Sequence, residues 1–246
     1  MAAPRRTKRA KRPAIRRPYA IRDQVALRRL GHFAVSPDSQ LVVLCIATAV
    51  PGKNRLDTHL WSVKADGTGL RKLTHSPGTH NGPVFAPDGQ SLFYLSGAPS
   101  AKRQILRLPL DGGRPTPVTR SPVGIESFVL SRDGAKVAFS TMVYPGPAGT
   151  DTLAATADRL DKEKATRASG QVHDRLFVRH WDEWKTGRRK HLFVQDVAGG
   201  QAVDVMPAMD ADAPSKPFGD SEEYTFTPDG TAVVFTARDV GREEAW

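Results

Sequence analysis

An all-β fold assembled from repeated four-stranded blades is what this sequence predicts, on three observations. A turn phrase recurs: Ser36-Pro37-Asp38-Ser39, Ala86-Pro87-Asp88-Gly89, Ser131-Arg132-Asp133-Gly134 and Thr227-Pro228-Asp229-Gly230. Each copy is followed by a short β-branched, apolar run: Leu41 to Thr48, Ser91 to Ser96, Lys136 to Thr141 and Thr231 to Ala237. The aspartates of the phrase are spaced by 50, 45 and 96 residues. A period of roughly 45 built from short strands is the signature of a β-propeller blade.

The turn phrase has a local physical cause. Pro presets φ at the second turn position, Asp folds its carboxylate back onto the backbone, and Gly takes the left-handed position without steric cost. A second phrase follows at a fixed distance in three of the repeats. Leu60-Trp61-Ser62-Val63, Ile105-Leu106-Arg107-Leu108 and Leu192-Phe193-Val194-Gln195 each lead through a Gly-containing turn to Leu73-Thr74, Val118-Thr119 and Val205-Met206.

The signals divide residues 19–246 into blades at about 32–74, 83–119 and 124–206 and the opening of a fourth at 222–246, with an insertion over about 145–184. Three blades and the start of a fourth make an incomplete β-propeller, which this chain alone is not expected to close. The strands after Val233 are expected to leave an open apolar edge, and with it poor solubility or oligomers for the isolated chain.

Ahead of the blades lies a charged tail, residues 1–18. The chain carries 36 Lys and Arg against 26 Asp and Glu, but nine basic residues fall within the first 22 positions, leaving 27 against 26 for the rest. The net charge of +10 is therefore a property of the tail, which has almost nothing to place in a core and is expected to be disordered. Two readings stay open: a weak polyanion-binding arm, or, more plainly, a solvated extension or a misassigned start. No aromatic residue interleaves the basic run before Tyr19, which weighs against base stacking.

No apolar stretch of signal-peptide type follows the basic start, and no run approaches the roughly 18 apolar residues of a membrane span. The sequence as written is expected in the cytoplasm, or in the periplasm if the native start differs. The single cysteine, Cys45, excludes an internal disulfide, and its place in Leu41-Val42-Val43-Leu44-Cys45-Ile46 reads as a buried strand thiol. Ile21, Val25 and Leu30 share a helical face, predicting a short helix that stops at Gly31 and packs under the first blade.

The insertion in the third blade breaks the monotony. Asp151 reads as the cap of a helix with apolar Leu153, Ala157 and Leu160, ended by Gly170. Two strands then follow, one through His173 to Trp184 and one at Lys190-His191-Leu192-Phe193, joined by a turn at Thr186-Gly187-Arg188. Alternation puts Leu176, Val178, His180 and Asp182 on one face and Arg175, Phe177, Arg179, Trp181 and Glu183 on the other. Such a mixture of aromatic and charged residues suits a site lip or an interface anchor; the alternative is that Trp181 and Trp184 cover the top of the insertion while the charges pair with one another.

Metal and nucleotide chemistry find no motif here. His173, His180 and His191 are spaced by 7 and 11, which matches no paired-ligand pattern, and one cysteine excludes thiolate clusters. Asp111-Gly112-Gly113 and Ala198-Gly199-Gly200 occupy equivalent places in the repeat and read as hairpin turns, not phosphate loops. No metal or cofactor is expected.

Arg175-Leu176-Phe177-Val178-Arg179-His180-Trp181-Asp182-Glu183-Trp184, then Gly187-Arg188-Arg189 and His191-Leu192-Phe193-Val194, resemble the propeller segment of prolyl oligopeptidase-family serine peptidases, of bacterial dipeptidyl aminopeptidase or acylaminoacyl-peptidase type. The phrases Leu30 to Asp38, Phe85 to Gly89 and Tyr224 to Gly230 are similar to the same proteins, as is the ending Thr236-Ala237-Arg238 with Glu243-Glu244-Ala245-Trp246. The resemblance covers about Tyr19 to Trp246.

It implies an N-terminal propeller that gates access of short peptides to a C-terminal α/β-hydrolase domain. There a Ser-His-Asp triad and an oxyanion hole perform the cleavage. No Gly-x-Ser-x-Gly occurs in this sequence, none of its seven His is assignable to a triad, and no catalytic residue carries over. The chain is therefore expected to have no activity of its own. Family relatives hold the peptide amino group with acidic residues; Asp182-Glu183 and Glu222-Glu223 are the acidic pairs here, without an alignable anchor motif. The expected substrate-entrance residues are Arg175, Arg179, Trp181, Asp182, Glu183, Trp184, Glu222 and Glu223. The alternative from a different class is a stand-alone propeller-like module that binds protein, with a polyanion-binding tail.

Overall fold

The computed structural model describes residues 17–166, 170, 172–173, 178–180, 183–216 and 218–239. The basic stretch 1–16, expected to be disordered, lies outside them. A short helix, α1 (Ile21–Ala26), precedes β1 (Arg29–Val35), β2 (Leu41–Val50), β3 (Arg55–Lys64) and β4 (Arg71–Lys72), which pair in that order as an antiparallel unit. The strands β5 (Thr79–Phe85), β6 (Ser91–Gly97), β7 (Gln104–Pro109) and β8 (Thr116–Pro117) repeat it.

A third unit starts with β9 (Ser127–Leu130) and β10 (Lys136–Val143). The chain then leaves the sheet through helix α2 (Thr152–Ala165) and a small hairpin, β11 (Arg179–His180) with β12 (Glu183–Trp184). It returns as β13 (Arg189–Asp196) against β10, flanked by β14 (Val203–Asp204). A 3-10 turn at Ser221–Glu223 opens the last antiparallel pair, β15 (Tyr224–Phe226) and β16 (Val233–Phe235). The architecture is mostly β with one helical insertion, consistent with a partial propeller-like fold.

The recurring phrase closes the first turn of each unit. The Asp38 carboxylate accepts from Ser36 Oγ at 2.6 Å and from the Gln40 amide at 3.0 Å, while the Leu41 amide donates to Ser36 Oγ at 2.9 Å. Ser131 and Asp133 repeat this pattern, and Thr227 with Asp229 does so in the last unit. The hydroxyl, then the backbone N–H, hold the carboxyl groups of Asp38, Asp133 and Asp229 below the usual carboxylate range.

Alternation along the strands turns both faces of the inner sheets apolar, and the units stack through three layers. Val43, Cys45 and Leu60 meet Phe85, Leu92, Tyr94 and Leu108 between the first and second units. Phe93, Leu95 and Ile105 meet Phe128, Val137, Phe139 and Phe193 between the second and third, with Phe139 and Phe193 stacked at 5.7 Å. Ala138, Leu192 and Met206 meet Tyr224 and Phe226 between the third and fourth. Burial pushes the Cys45 thiol up to about 11, as a strand cysteine in the core requires.

Several expectations are corrected. The first helix stops at Ala26, and Leu30 and Gly31 lie in β1; Ile21 is 85% exposed, so the helix does not bury that face. The outer strands are Arg71–Lys72, Thr116–Pro117 and Val203–Asp204, just ahead of the apolar pairs that end the second phrase. Those pairs still extend the ladder, Leu73, Val118 and Val205 donating to the Leu60, Ile105 and Leu192 carbonyls. Helix α2 ends at Ala165, where the Thr166 amide closes onto Lys162 and Glu163 carbonyls, and not at Gly170.

Nor does the insertion hairpin pair with Lys190 to Phe193 across Thr186-Gly187-Arg188. Those residues belong to β13, whose eight-residue register with β10 outcompetes a local partner. In the described hairpin Arg179 stands opposite Trp184 and His180 opposite Glu183, so Arg179 and Glu183 lie on different strands and not along one.

Candidate functional site

Strand order separates the two ends of the molecule. Tight turns (36–40, 65–70, 86–90, 110–115, 131–135, 197–202 and 227–232) reverse the chain at one end. The short connections 51–54, 73–78, 98–103 and 118–126 and the segment 205–223 leave from the other end, where β10 also gives way to the insertion and β13 resumes the sheet. Loops on a rigid scaffold are where binding groups concentrate, so the connector end over the third unit is the candidate site.

Its base is a polar network. Arg189 donates to Asp210 at 2.8 Å and to Asp212 at 2.9 Å, and the Lys190 amide donates to Asp212 at 2.7 Å. Lys216 lies 3.4 Å from Asp212 and also donates to the Arg188 carbonyl at 3.4 Å, while Lys190 lies 3.6 Å from Glu126. Burial holds the Lys216 ammonium below the usual lysine range, opposed by the Asp212 charge. Next to this network, the fully buried His191 ring faces the Asp204 carboxylate and the Met209 carbonyl, each at 3.0 Å. Segment 205–223 is thereby tied to the point where the insertion re-enters the sheet.

Above it stands the hairpin. The Arg179 guanidinium lies 5.8 Å from the centre of the Trp184 ring, and His173 stacks on the same ring at 6.1 Å. Trp184 remains 58% exposed. The Lys185 amide donates to the Val178 carbonyl at 3.0 Å, continuing the ladder. At the insertion's root, Arg159 covers the Tyr144 ring at 3.5 Å, and the Tyr144 hydroxyl donates to Glu163 at 2.9 Å.

Of the residues expected at a substrate entrance, Arg175, Trp181 and Asp182 lie outside the described residues, and Glu183 is placed by its backbone alone. Arg179 and Trp184 come together on the hairpin. Glu222 and Glu223 are at the same end, in the turn before β15, but only Glu222 is exposed. Glu223 is spent internally, accepting from the Ser215 amide at 2.7 Å and the Ser215 hydroxyl at 2.8 Å. Sequence reasoning missed the Arg189, Asp212 and Lys216 network, whose members carry no recognisable spacing. Among the described residues no group of three or more His, Cys, Asp or Glu is placed to hold a metal, and no helix is long and apolar enough to cross a membrane.

No protein-family model matches the chain. It is 30% identical over 221 residues to dipeptidyl-peptidase 5 of Porphyromonas endodontalis, a match that covers 87% of this chain and 30% of that protein. Dipeptidyl-peptidase 5 of Porphyromonas gingivalis is 25% identical over 217 residues, with 87% and 30% covered. The acylaminoacyl peptidase of Pyrococcus horikoshii superposes with a TM-score of 0.52 at 12% identity, over 72% of this chain and 24% of that one, a likeness of fold alone. The chain thus spans about 30% of the length of the curated relatives it matches. Together these findings support a distant relation to a serine-peptidase-like propeller family without fixing a subtype.

Proposed function

We propose that this chain is the N-terminal propeller portion of an oligopeptidase of dipeptidyl-aminopeptidase or acylaminoacyl-peptidase type. In this reading it supplies three blades and the start of a fourth. Its connector end gates short peptides on their way to a separate α/β-hydrolase domain, which brings the chemistry. The observation that carries the reading is the 221-residue match to a dipeptidyl-peptidase, which takes up most of this chain and under a third of that protein. Placement of Trp184, Arg179 and Glu222 at the connector end supports it.

Within that reading, Trp184 with Arg179 forms a flat, cationic lip against which a peptide backbone or aromatic side chain stacks. Glu222 offers an exposed carboxylate at the same end. The test begins with the coding sequence beyond the Trp246 codon. A continuation, in frame or frameshifted, that encodes Gly-x-Ser-x-Gly followed by Asp and His supports the proposal; unrelated sequence sinks it. In the continued protein, Trp184→Ala is expected to raise KM for dipeptidyl chromogenic substrates several-fold with kcat little changed. Unaltered KM removes the hairpin from the entrance.

A further inference from the structure

The first unit leaves bare a face that each later unit buries. Counting from the residue that opens each turn phrase (Ser36, Ala86, Ser131 and Thr227), Phe33 corresponds to Pro83, Phe128 and Tyr224, and Leu44 to Tyr94, Phe139 and Phe235. In the later units these positions look back onto the preceding one. Tyr94 shares an apolar layer with Val43 and Leu60, Phe128 and Phe139 share one with Phe93 and Ile105, and Tyr224 and Phe235 share one with Ala138 and Leu192. Phe128 is 5% exposed and Tyr224 2%, whereas Phe33 is 67% exposed. Register puts Leu44 beside Phe33 and Trp61 on the same face of the sheet, and none of these three side chains belongs to an apolar layer among the described residues. An apolar sheet face left open in this way marks an interaction surface.

The complementary face stands at the far end of the chain. Alternation along β15 and β16 turns Thr225 and Val234, paired with each other, away from the third unit, and both are exposed. Val234 holds the repeat position of Val43, Phe93 and Ala138, each of which lies in the layer that carries the next unit. Charge agrees with the shape. Arg28, whose guanidinium lies 5.9 Å from the centre of the Trp61 ring, and Arg29 are exposed where the first strand of the first unit begins. Glu222 is exposed where the first strand of the fourth unit begins, so stacking these two units in the manner of the others brings opposite charges to the same end.

We propose that the face bearing Phe33, Leu44 and Trp61 binds the Thr225 and Val234 face of a second copy of this chain, and that the reciprocal joint closes the pair into a two-fold dimer. The joint repeats a stacking that the chain already makes three times within itself. Its two sides differ, so it is a heterologous contact, which must either close or propagate. Two copies with four units each close it as a ring of eight, at the upper end of the usual propeller range. The pairing uses no group of the connector network and no peptidase chemistry, so its failure leaves the oligopeptidase reading standing.

Sedimentation velocity of the full chain is expected to show a dimer in the micromolar range. Phe33→Lys and Val234→Lys alter exposed side chains outside the buried core, so each should keep the wild-type circular dichroism while self-association weakens roughly tenfold or more and the monomer predominates. An equimolar mixture of the two variants should recover a heterodimer, because only the mixture holds one intact face of each kind. A wild-type chain that stays monomeric throughout that range overturns the proposal. So does a Val234→Lys variant that dimerises like the wild type, which would mark a head-to-head pair through the first face alone, or a mixture no more associated than either variant by itself. Growth of the wild type into open-ended polymers overturns the closed ring.

Discussion

Gly134→Ala probes how the units are locked together at the tight-turn end. Gly89, Gly134 and Gly230 all sit at φ between +69° and +70°, and the equivalent residue of the first unit is Ser39 at φ +60°. An L residue in this region costs roughly 1–2 kcal/mol, offset by the roughly 0.4–1 kcal/mol that Ala gains by restricting the unfolded chain. That alone gives a net loss of about 0.5–1 kcal/mol for Gly89→Ala, because a Cβ there meets Pro37 at an ordinary 3.6 Å. At Gly134 the added Cβ would lie 2.8 Å from Cδ of the Pro87 ring, part of the preceding unit's turn. Overpacking adds roughly 1–3 kcal/mol, so Gly134→Ala should cost about 2–3 kcal/mol in all. For a domain of this size that is a fall in Tm of roughly 5–10 °C. Urea unfolding of the two variants, with unchanged m-values, measures the difference. Equal losses within about 0.5 kcal/mol would refute the idea that successive turns nest against each other.

Ser39→Gly should act in the opposite sense and stabilise by about 0.5–1 kcal/mol, read in the same urea assay. Asp212→Ala strips the acceptor shared by Arg189, Lys216 and the Lys190 amide and should cost roughly 3–5 kcal/mol; a loss below about 1 kcal/mol would show the network to be solvated. Tyr224→Phe removes the hydroxyl that meets Ser127 at 2.9 Å across two units, and should cost about 1 kcal/mol by thermal unfolding, since Ser127 and Ser140 remain 2.7 Å apart and satisfy each other. His59 and His80 stack at 5.6 Å where the first two units share a parallel bridge, with Lys72, His75, Asp57 and Tyr94 around them. Burial, chiefly, lowers both rings below the usual imidazole range. Their contribution to stability is therefore complete above the unfolded value of about 6.5 and is lost as pH falls through the folded values. His80→Gln should flatten that acid limb in stability measured against pH, and an unchanged limb would exclude the pair as its origin.

How far the sequence could be read follows from where each interaction is encoded. A turn phrase of four consecutive residues contains its own hydrogen bonds, Ser36 to Asp38 and Asp38 to Gln40, so the turns and the strands after them were legible. The outer strands lie a residue or two ahead of the apolar pairs that mark the end of the second phrase. Their two-residue ladders carry Arg71, Lys72, Thr116 and Asp204, which have no apolar signal, while the Leu73, Val118 and Val205 side chains that follow do. The hairpin was misread because β13 had two claimants, and only the three-dimensional register with β10 decides between them.

The candidate site was the least legible part, for a reason of the same kind. Asp212 is reached from Arg189 and Lys190 across more than twenty residues, and Lys190 reaches Glu126 across more than sixty. No local pattern records a partner at that distance, and acidic pairs read as free in the sequence become latches once a neighbour such as Ser215 folds over them, as Glu223 shows. The two ends of the molecule thus carry information differently. At the turn end the same few residues solve the same local problem four times, which makes a period visible and fixes the spacing of the sheets. At the connector end each loop, freed from that constraint, settles against whatever its neighbours present, so chemistry there varies while the scaffold does not. A substitution at the turn end should therefore register in stability and leave binding at the hairpin intact, whereas Trp184→Ala should do the reverse; if both kinds of change moved both quantities together, the separation of scaffold from site would fail.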